Sequence, residues 1–284
     1  MVIFDRGGEV EVTGVSDFDL VRVFECGQCF RWETDADGVY TGVAFDRATR
    51  LRRDDSSGSV FITCTAEDFE AVWRDYFDLD RNYAAIRNSL CTDAFMRKAV
   101  GFGAGIRILK QDNWEALCSF IISQCNNITR IGNIISSLCR EFGDAFEFEG
   151  EVFHKFPSAE RLAALDESCL SPLRCGYRAS YIINAARAVS GGVPDLGMLS
   201  AGTVEQARTE LKKLRGVGDK VADCVALFGL NMLDAFPLDV WMKRAVAEYF
   251  GQGFDPGIFS PYAGIAQQYI FYYIRNNKKH LHSQ

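Results

Sequence analysis

Between Leu211 and Arg244 runs LKKLRGVGDKVADCVALFGLNMLDAFPLDVWMKR, the stretch that most limits what this chain can fold into. Gly216 and Gly218 flank Val217 between two apolar-periodic segments, so one helix has to stop, turn tightly and restart. Glycine permits this because it takes positive φ without a Cβ clash. A helical hairpin is expected over about residues 207–230. Its second helix, starting near Asp219 or Lys220, presents free backbone N–H groups and the positive end of its dipole, which together form a seat for phosphate.

Residues 2–64 read differently. VIFD, EVEVTG, VYTGVAF, ATRLRR and SVFITCT are short, β-branched or aromatic runs separated by turn residues, the pattern of an antiparallel sheet. Asp35-Ala36-Asp37-Gly38 and Asp54-Asp55-Ser56-Ser57-Gly58 are its clearest hairpin signals. Gly27 interrupts an aromatic segment, Phe24 to Trp32, and reads as a bulge or a point where backbone meets a ligand. From Thr65 the period turns helical, with Thr65 and Asp68 offering a capped start. The segment NWEALCSFIISQCNN is apolar nearly all round and belongs in a core. The expected architecture is α+β: an antiparallel-sheet domain with trailing helices at 1–100, then a helical region at 101–284 in two lobes.

The 284 residues suit two or three lobes, and 48% apolar with 24% charged side chains describes an ordinary globular protein. No stretch approaches eighteen uninterrupted apolar residues and no signal peptide is read, so a cytoplasmic, nucleoid-associated protein is expected. The net charge of −7 argues against nucleic acid until its distribution is seen. Residues 1–80 hold 18 acidic and 8 basic side chains, leaving 20 acidic and 23 basic for the remainder. The hairpin is locally basic through Arg208, Lys212, Lys213, Arg215 and Lys220. The ten cysteines lie mostly in apolar runs, as reduced small hydrophobes do, and no metal site is completed by Cys26-x2-Cys29.

Two residues carry chemistry. Lys220 sits at a helix start among other cations, a setting that favours the neutral, nucleophilic amine. Alone, a G-x-G-x-K lysine reads as a phosphate contact or a solvated side chain. Cys224 follows one turn later on the same face, where packing is its default role. Asp239, after Pro237-Leu238, reads as an N-cap, and the same carboxylate can stabilise an electron-poor sugar. Lysine and aspartate at the starts of successive helices are more specific than either alone.

LRGVGDKVADC followed by FPLDVWM resembles the helix-hairpin-helix DNA glycosylase superfamily, and within it the 8-oxoguanine DNA glycosylase/lyases. GQCFRW at 27–32, FIISQCNNITR at 120–130, GYRASY at 176–181 and PYAGIAQQYIF at 261–271 resemble that family's segments in order. The resemblance implies that Lys220 attacks the sugar C1′ and forms a Schiff base that permits β-elimination, with Asp239 supporting the transition state. It implies that the Gly27 carbonyl accepts N7–H of the oxidised base, that Cys224 and Phe271 sandwich that base, and that Gln267 reads its Watson–Crick edge. Asn126, Arg130, Tyr177 and Arg178 fall where the family fills the emptied stack and holds the estranged cytosine, while Gly216 and Gly218 meet the backbone. Cys125 stands where the family commonly has asparagine, and Trp241 where it has a phosphate-contacting histidine. The superfamily's iron–sulfur cluster uses four late cysteines, and the last here is Cys224, so none is expected.

The expected function is excision of 8-oxoguanine opposite cytosine from double-stranded DNA, with lyase activity, by a monomer that needs no cofactor, metal or membrane. The rival readings are a glycosylase for other oxidised or alkylated bases and a non-catalytic helix-hairpin-helix DNA-binding module.

Overall fold

The computed structural model describes residues 1–277, and its α+β architecture is the one the alternation of strand and helix periods implies. Six antiparallel strands, β1 (Val2–Asp5), β2 (Val10–Thr13), β3 (Trp32–Thr34), β4 (Tyr40–Ala44), β5 (Arg47–Arg53) and β6 (Val60–Ile62), lie in the order β1-β2-β6-β5-β4-β3. Period-two alternation sets their faces: Val10, Val12, Leu51, Val60 and Ile62 are fully buried, while Arg52 covers Phe61 on the other face at 3.8 Å. Both expected hairpins form around a self-bonding aspartate, with Asp35 Oδ1 accepting from the amides of Asp37 and Val39 and Asp54 Oδ1 from that of Ser56.

Two elements depart from the sequence reading. Residues 20–25, inside the stretch read as all strand, form a helix, Leu20–Glu25, because Asp19 caps it by accepting from the Arg22 amide. Leu20, Val23 and Phe24 supply its buried i, i+3, i+4 stripe. Beyond Gly143, where periodicity is weak, β7 (Ala145–Phe148) and β8 (Glu151–His154) pair as a hairpin across Glu149 and Gly150, both at positive φ.

Two cores result. One fills the space beneath the sheet from Val10 to Leu79 and includes Leu109; Trp73, buried to 0% exposure, lies near its centre. The other begins with Tyr83 and runs through the helical region. The boundary expected near residue 100 therefore falls differently when judged by packing, since the helices Tyr83–Leu90 and Ala94–Phe102 bury their apolar faces in the helical core. Cys26 joins that core as well, while Cys29, three residues on, joins the one under the sheet.

The helices sort into two packed groups. Asn113–Ser123, Ile128–Phe142, Arg178–Ser190, Val204–Leu211 and Asp219–Phe228 form the middle of the chain and pack on one another. Ala94–Phe102, Val240–Tyr249 and Ala263–Asn276 form the second group. The Asn113–Ser123 helix is buried from Ala116 to Ile122, as its all-round apolarity requires. The polar break after it is a turn through Gln124 and Cys125 into Asn127, whose side chain caps the next helix through the Arg130 amide. No helix among the described residues is long and apolar enough to cross a membrane.

Among the ion pairs that bridge the two parts, a nearly buried one is that of Arg31, whose Nη1 meets Glu115 Oε2 at 3.0 Å while its Nη2 donates to the His154 carbonyl. Burial pushes the Glu115 carboxyl up, with Arg31 opposing that shift. Arg31→Met leaves a buried carboxylate without its cation, so chemical denaturation at neutral pH should show a loss of about 3–5 kcal/mol. The loss should shrink as pH falls and Glu115 protonates, because a group with a raised folded-state pKa favours the fold only in its protonated form.

Candidate active site

The glycine turn comes first because it positions the lysine. Gly216 has φ +85°, and a Cβ there would lie 2.2 Å from the Tyr181 ring, so both conformation and packing demand glycine. Val217, buried, anchors the apex by donating to the Leu214 carbonyl. Gly218 is different: its φ is −99°, and a Cβ would meet nothing within 4 Å. The protein does not need glycine there, which leaves that face open for close approach from outside. Gly218 is also the N-cap of Asp219–Phe228 and supplies no side-chain acceptor, so the first amides of the helix stay available to an anion. Part of the expected basic charge is spent locally, Lys212 on Asp219 and Lys213 on Glu210.

Lys220 is half-buried on the first turn of this helix. Its Nζ donates to Ser123 Oγ at 3.1 Å and lies 5.3 Å from the centre of the Phe120 ring. Ser123 in turn donates to the Phe120 carbonyl, so the hydroxyl is oriented to accept from the amine. Cys224, one turn on, is buried, and its thiol is pushed up to about 11 by burial, with the Lys220 amine opposing and the Asp239 carboxylate adding to the shift. Lys220, Cys224 and Asp239 therefore lie together. Asp239 caps Val240–Tyr249 by accepting from the Met242 amide at 2.8 Å, the N-cap role expected of it, and keeps its other oxygen free of that bond.

The opposite wall comes from the chain's two ends. Gly27 sits at φ +86°, just past the Leu20–Glu25 helix, in a turn and not a strand bulge. A Cβ built on it would be 3.9 Å from Phe271 and 3.5 Å from Ile128. Among the described residues no backbone amide donates to its carbonyl oxygen. Gln267, one turn before Phe271 on the Ala263–Asn276 helix, is 4% exposed, and its Oε1 has no partner among the described residues. An unpartnered buried acceptor is costly unless a ligand completes it. The two walls touch where a Cβ on Gly264 would meet Leu227 Cδ1 at 2.3 Å. From that crossing Cys224 and Lys220 follow one helix, and Gln267 and Phe271 the other, at successive turns.

A third element is the Gln124–Asn127 turn. Cys125 is exposed at φ +49°, and Asn126 Nδ2 donates to the Ile122 carbonyl. Tyr177 is 51% exposed, with its ring edge-on to Tyr181 at 5.6 Å between centroids. Arg130 is exposed and donates once, to the Arg174 carbonyl. Arg178, grouped with Arg130 in the sequence reading, is placed differently: it is buried, and its guanidinium donates to the carbonyls of Gln124, Cys125 and Cys175. A buried cation needs that many acceptors, so Arg178 holds the turn that carries Asn126. Trp241, half-buried at the start of its helix, has Arg244 over its ring at 5.8 Å.

Sequence reasoning missed Ser123 and Phe120 as the lysine's immediate neighbours, although both lie inside the FIISQCNNITR segment at i, i+3 spacing. Gln28, which follows Gly27 and donates to the Val23 carbonyl, is likewise hidden within GQCFRW. No group of three or more potential ligands for a metal is found among the described residues.

Residues 12–117 match the family model described as 8-oxoguanine DNA glycosylase, N-terminal domain, and residues 118–256 that of the HhH-GPD superfamily base excision DNA repair proteins. The N-glycosylase/DNA lyase of Saccharomyces cerevisiae is 33% identical over 81% of this chain and 67% of its own length. The solved Clostridium acetobutylicum 8-oxoguanine glycosylase/lyase, bound to duplex DNA with cytosine opposite 8-oxoG, superposes with a TM-score of 0.91 at 35% identity, covering 98% of this chain and 99% of that one. A structure of MBOgg1 with a low-affinity DNA ligand reaches 0.92 at 41% identity, covering 98% and 99% of the two chains.

The hairpin geometry separates its glycines. Gly216→Ala should lower thermal stability by roughly 1–3 kcal/mol or more, from the left-handed backbone and the Tyr181 clash. Gly218→Ala should melt like the wild type yet bind duplex DNA more weakly in a fluorescence-anisotropy titration. Asp239→Asn should also keep its melting temperature, because asparagine caps as well as aspartate, while base release falls steeply.

Proposed function

Because the chain belongs to the N-glycosylase/DNA lyase family of 8-oxoguanine DNA glycosylases, within the HhH-GPD base-excision repair superfamily, we propose that it excises 8-oxoguanine from duplex DNA through Lys220 and then nicks the strand. It is a bifunctional DNA glycosylase/AP lyase. The observation that best supports this assignment of residues is the meeting of Gly27 and Phe271 from the chain's two ends, together with the charges of Lys220 and Asp239 acting on the Cys224 thiol.

The flipped nucleotide enters between the two helix groups. Cys224 and Phe271 take the faces of the base, and the unpartnered Gln267 amide oxygen takes a donor on its Watson–Crick edge. The Gly27 carbonyl accepts from N7–H, a proton that 8-oxoguanine carries and guanine lacks. With guanine two acceptors would face each other, so discrimination rests on one hydrogen and on the cost of an unpaired buried acceptor.

The Lys220 amine attacks C1′ as the bond to the base breaks, and Asp239 stabilises the positive charge that develops on the sugar. Loss of a proton from nitrogen and opening of the sugar ring give the Schiff base. Loss of a C2′ proton then expels the 3′ phosphate. Ser123 holds the amine at the mouth of the site before the substrate arrives.

On the opposite strand, Arg130 supplies a guanidinium fork to cytosine, and Tyr177 and Asn126 fill the gap left by the flipped base. Arg178 keeps their turn in shape from below. Gly216 and Gly218 let the hairpin amides approach the phosphate backbone. A DNA substrate places the protein with the chromosome, in the cytoplasm if the source is prokaryotic. Lys220→Gln should abolish borohydride trapping of protein on 8-oxoguanine duplex while leaving duplex affinity in place. Trapping that persisted would show that another amine is the nucleophile.

A further inference from the structure

Gln28 is a polar side chain with 0% exposure at the boundary of the two cores, and both hydrogens and the oxygen of its amide are bonded. Nε2 donates to the Val23 carbonyl at 2.9 Å, on the helix that leads into Gly27, and to the Arg107 carbonyl at 2.8 Å, on the segment that leads into the Asn113–Ser123 helix. Oε1 accepts from the Leu109 amide at 3.0 Å. The backbone carbonyl of Gln28 accepts from Gln111 Nε2 at 2.8 Å, and the Gln111 amide donates to the Phe228 carbonyl at the end of the lysine helix.

These bonds anchor Gln28 through its side chain and its own carbonyl. The peptide plane that carries the Gly27 oxygen ends at the Gln28 Cα, so anchoring Gln28 restrains where that oxygen points. Gly27 itself, at φ +86° and without a side chain, has nothing of its own to hold that direction. The same contacts measure the oxygen's position against the nucleophile. From Arg107 to Gln111 the chain passes into a helix capped by Asp112, and that helix ends at Ser123, the hydroxyl that receives the Lys220 amine. Base recognition and nucleophile are thus attached to the two ends of one span, residues 107–123.

We infer that Gln28 is the positioning residue for base recognition: it aims the Gly27 carbonyl at N7 and sets its distance from Lys220. A methionine of similar length would fill the same volume but make none of the three bonds, and the freed peptide could rotate. Discrimination between 8-oxoguanine and guanine requires an acceptor in a fixed place, whereas attack of Lys220 on an abasic sugar does not. The inference rests on the assignment of Gly27 as the acceptor for N7–H.

The test measures Gln28→Met on two substrates, base release from 8-oxoguanine:cytosine duplex under single turnover and borohydride trapping on a preformed abasic site. The expected result is a loss of about tenfold or more in 8-oxoguanine excision, the equivalent of one lost hydrogen bond, with abasic-site trapping unchanged. Gln111→Met, which removes only the bond to the Gln28 carbonyl from a half-buried position, should move the same ratio in the same direction by less, and carries the test if Gln28→Met does not fold. Equal losses on both substrates, or unchanged excision in either folded variant, would overturn the inference. A wild-type protein that released guanine as readily as 8-oxoguanine would instead remove the assignment of Gly27, and the inference with it.

Discussion

The site depends on a buried seam where residues 26–29 and 106–111 exchange partners across two cores. Cys26 packs with the helical core and Cys29 with the core under the sheet, and in the facing segment Ile108 and Leu109 divide in the same way. The Gln28 amide satisfies three backbone groups at this crossing, the carbonyls of Val23 and Arg107 and the amide of Leu109. Buried carbonyls and amides without partners would cost a few kcal/mol, roughly 1–3 each, so the seam is held by the penalty for opening it as much as by the bonds themselves. Arg31 and Glu115 reinforce it from the side as a nearly buried ion pair.

Once the seam is closed, the rest of the site follows from helix ends. Lys220 and Asp239 each stand at the start of a helix, one behind a glycine cap and one as the cap itself. The glycines of the chain divide into those the protein needs for itself and those it leaves open. Gly216 and Gly264 are required because Tyr181 and Leu227 occupy the space a Cβ would take. Gly218 has no such neighbour and leaves the first amides of its helix without a side-chain cap. Gly27 combines a backbone angle that side chains resist with a surface shared by Ile128 and Phe271.

Most buried polar groups here are paired, as in any folded protein. Among the described residues the Gln267 oxygen is one of six buried side-chain polar atoms without a partner, and it lies one turn before Phe271 on the same helix. Arg178 is the reverse case, a side chain whose exposure seemed natural from sequence and whose donors are used within the protein. The exposed Tyr177 ring and the Arg130 guanidinium remain on the surface where the turn at Cys125 projects.

Local chemistry in the sequence was enough to find the sheet strands, the capped helix starts, the glycine turn, and the positions of Lys220 and Asp239 at the starts of successive helices. Each is decided by a period of two or 3.6, a cap residue or a positive φ, all of which act over a few residues. The short helix at Leu20–Glu25 and the hairpin at 145–154 left signals of that kind too, an Asp cap and an Asp/Glu-Gly turn pattern that were weaker than their surroundings. What tertiary structure alone decided is which groups face one another. Ser123 reaches Lys220 across 97 residues, Gln28 reaches Leu109 across 81, and Arg178 turns inward to Gln124 across 54. No periodicity encodes such pairings, because a side chain's partner is set by where packing of two cores brings distant segments, and the cost of burying an unpaired polar group then selects the geometry that satisfies it.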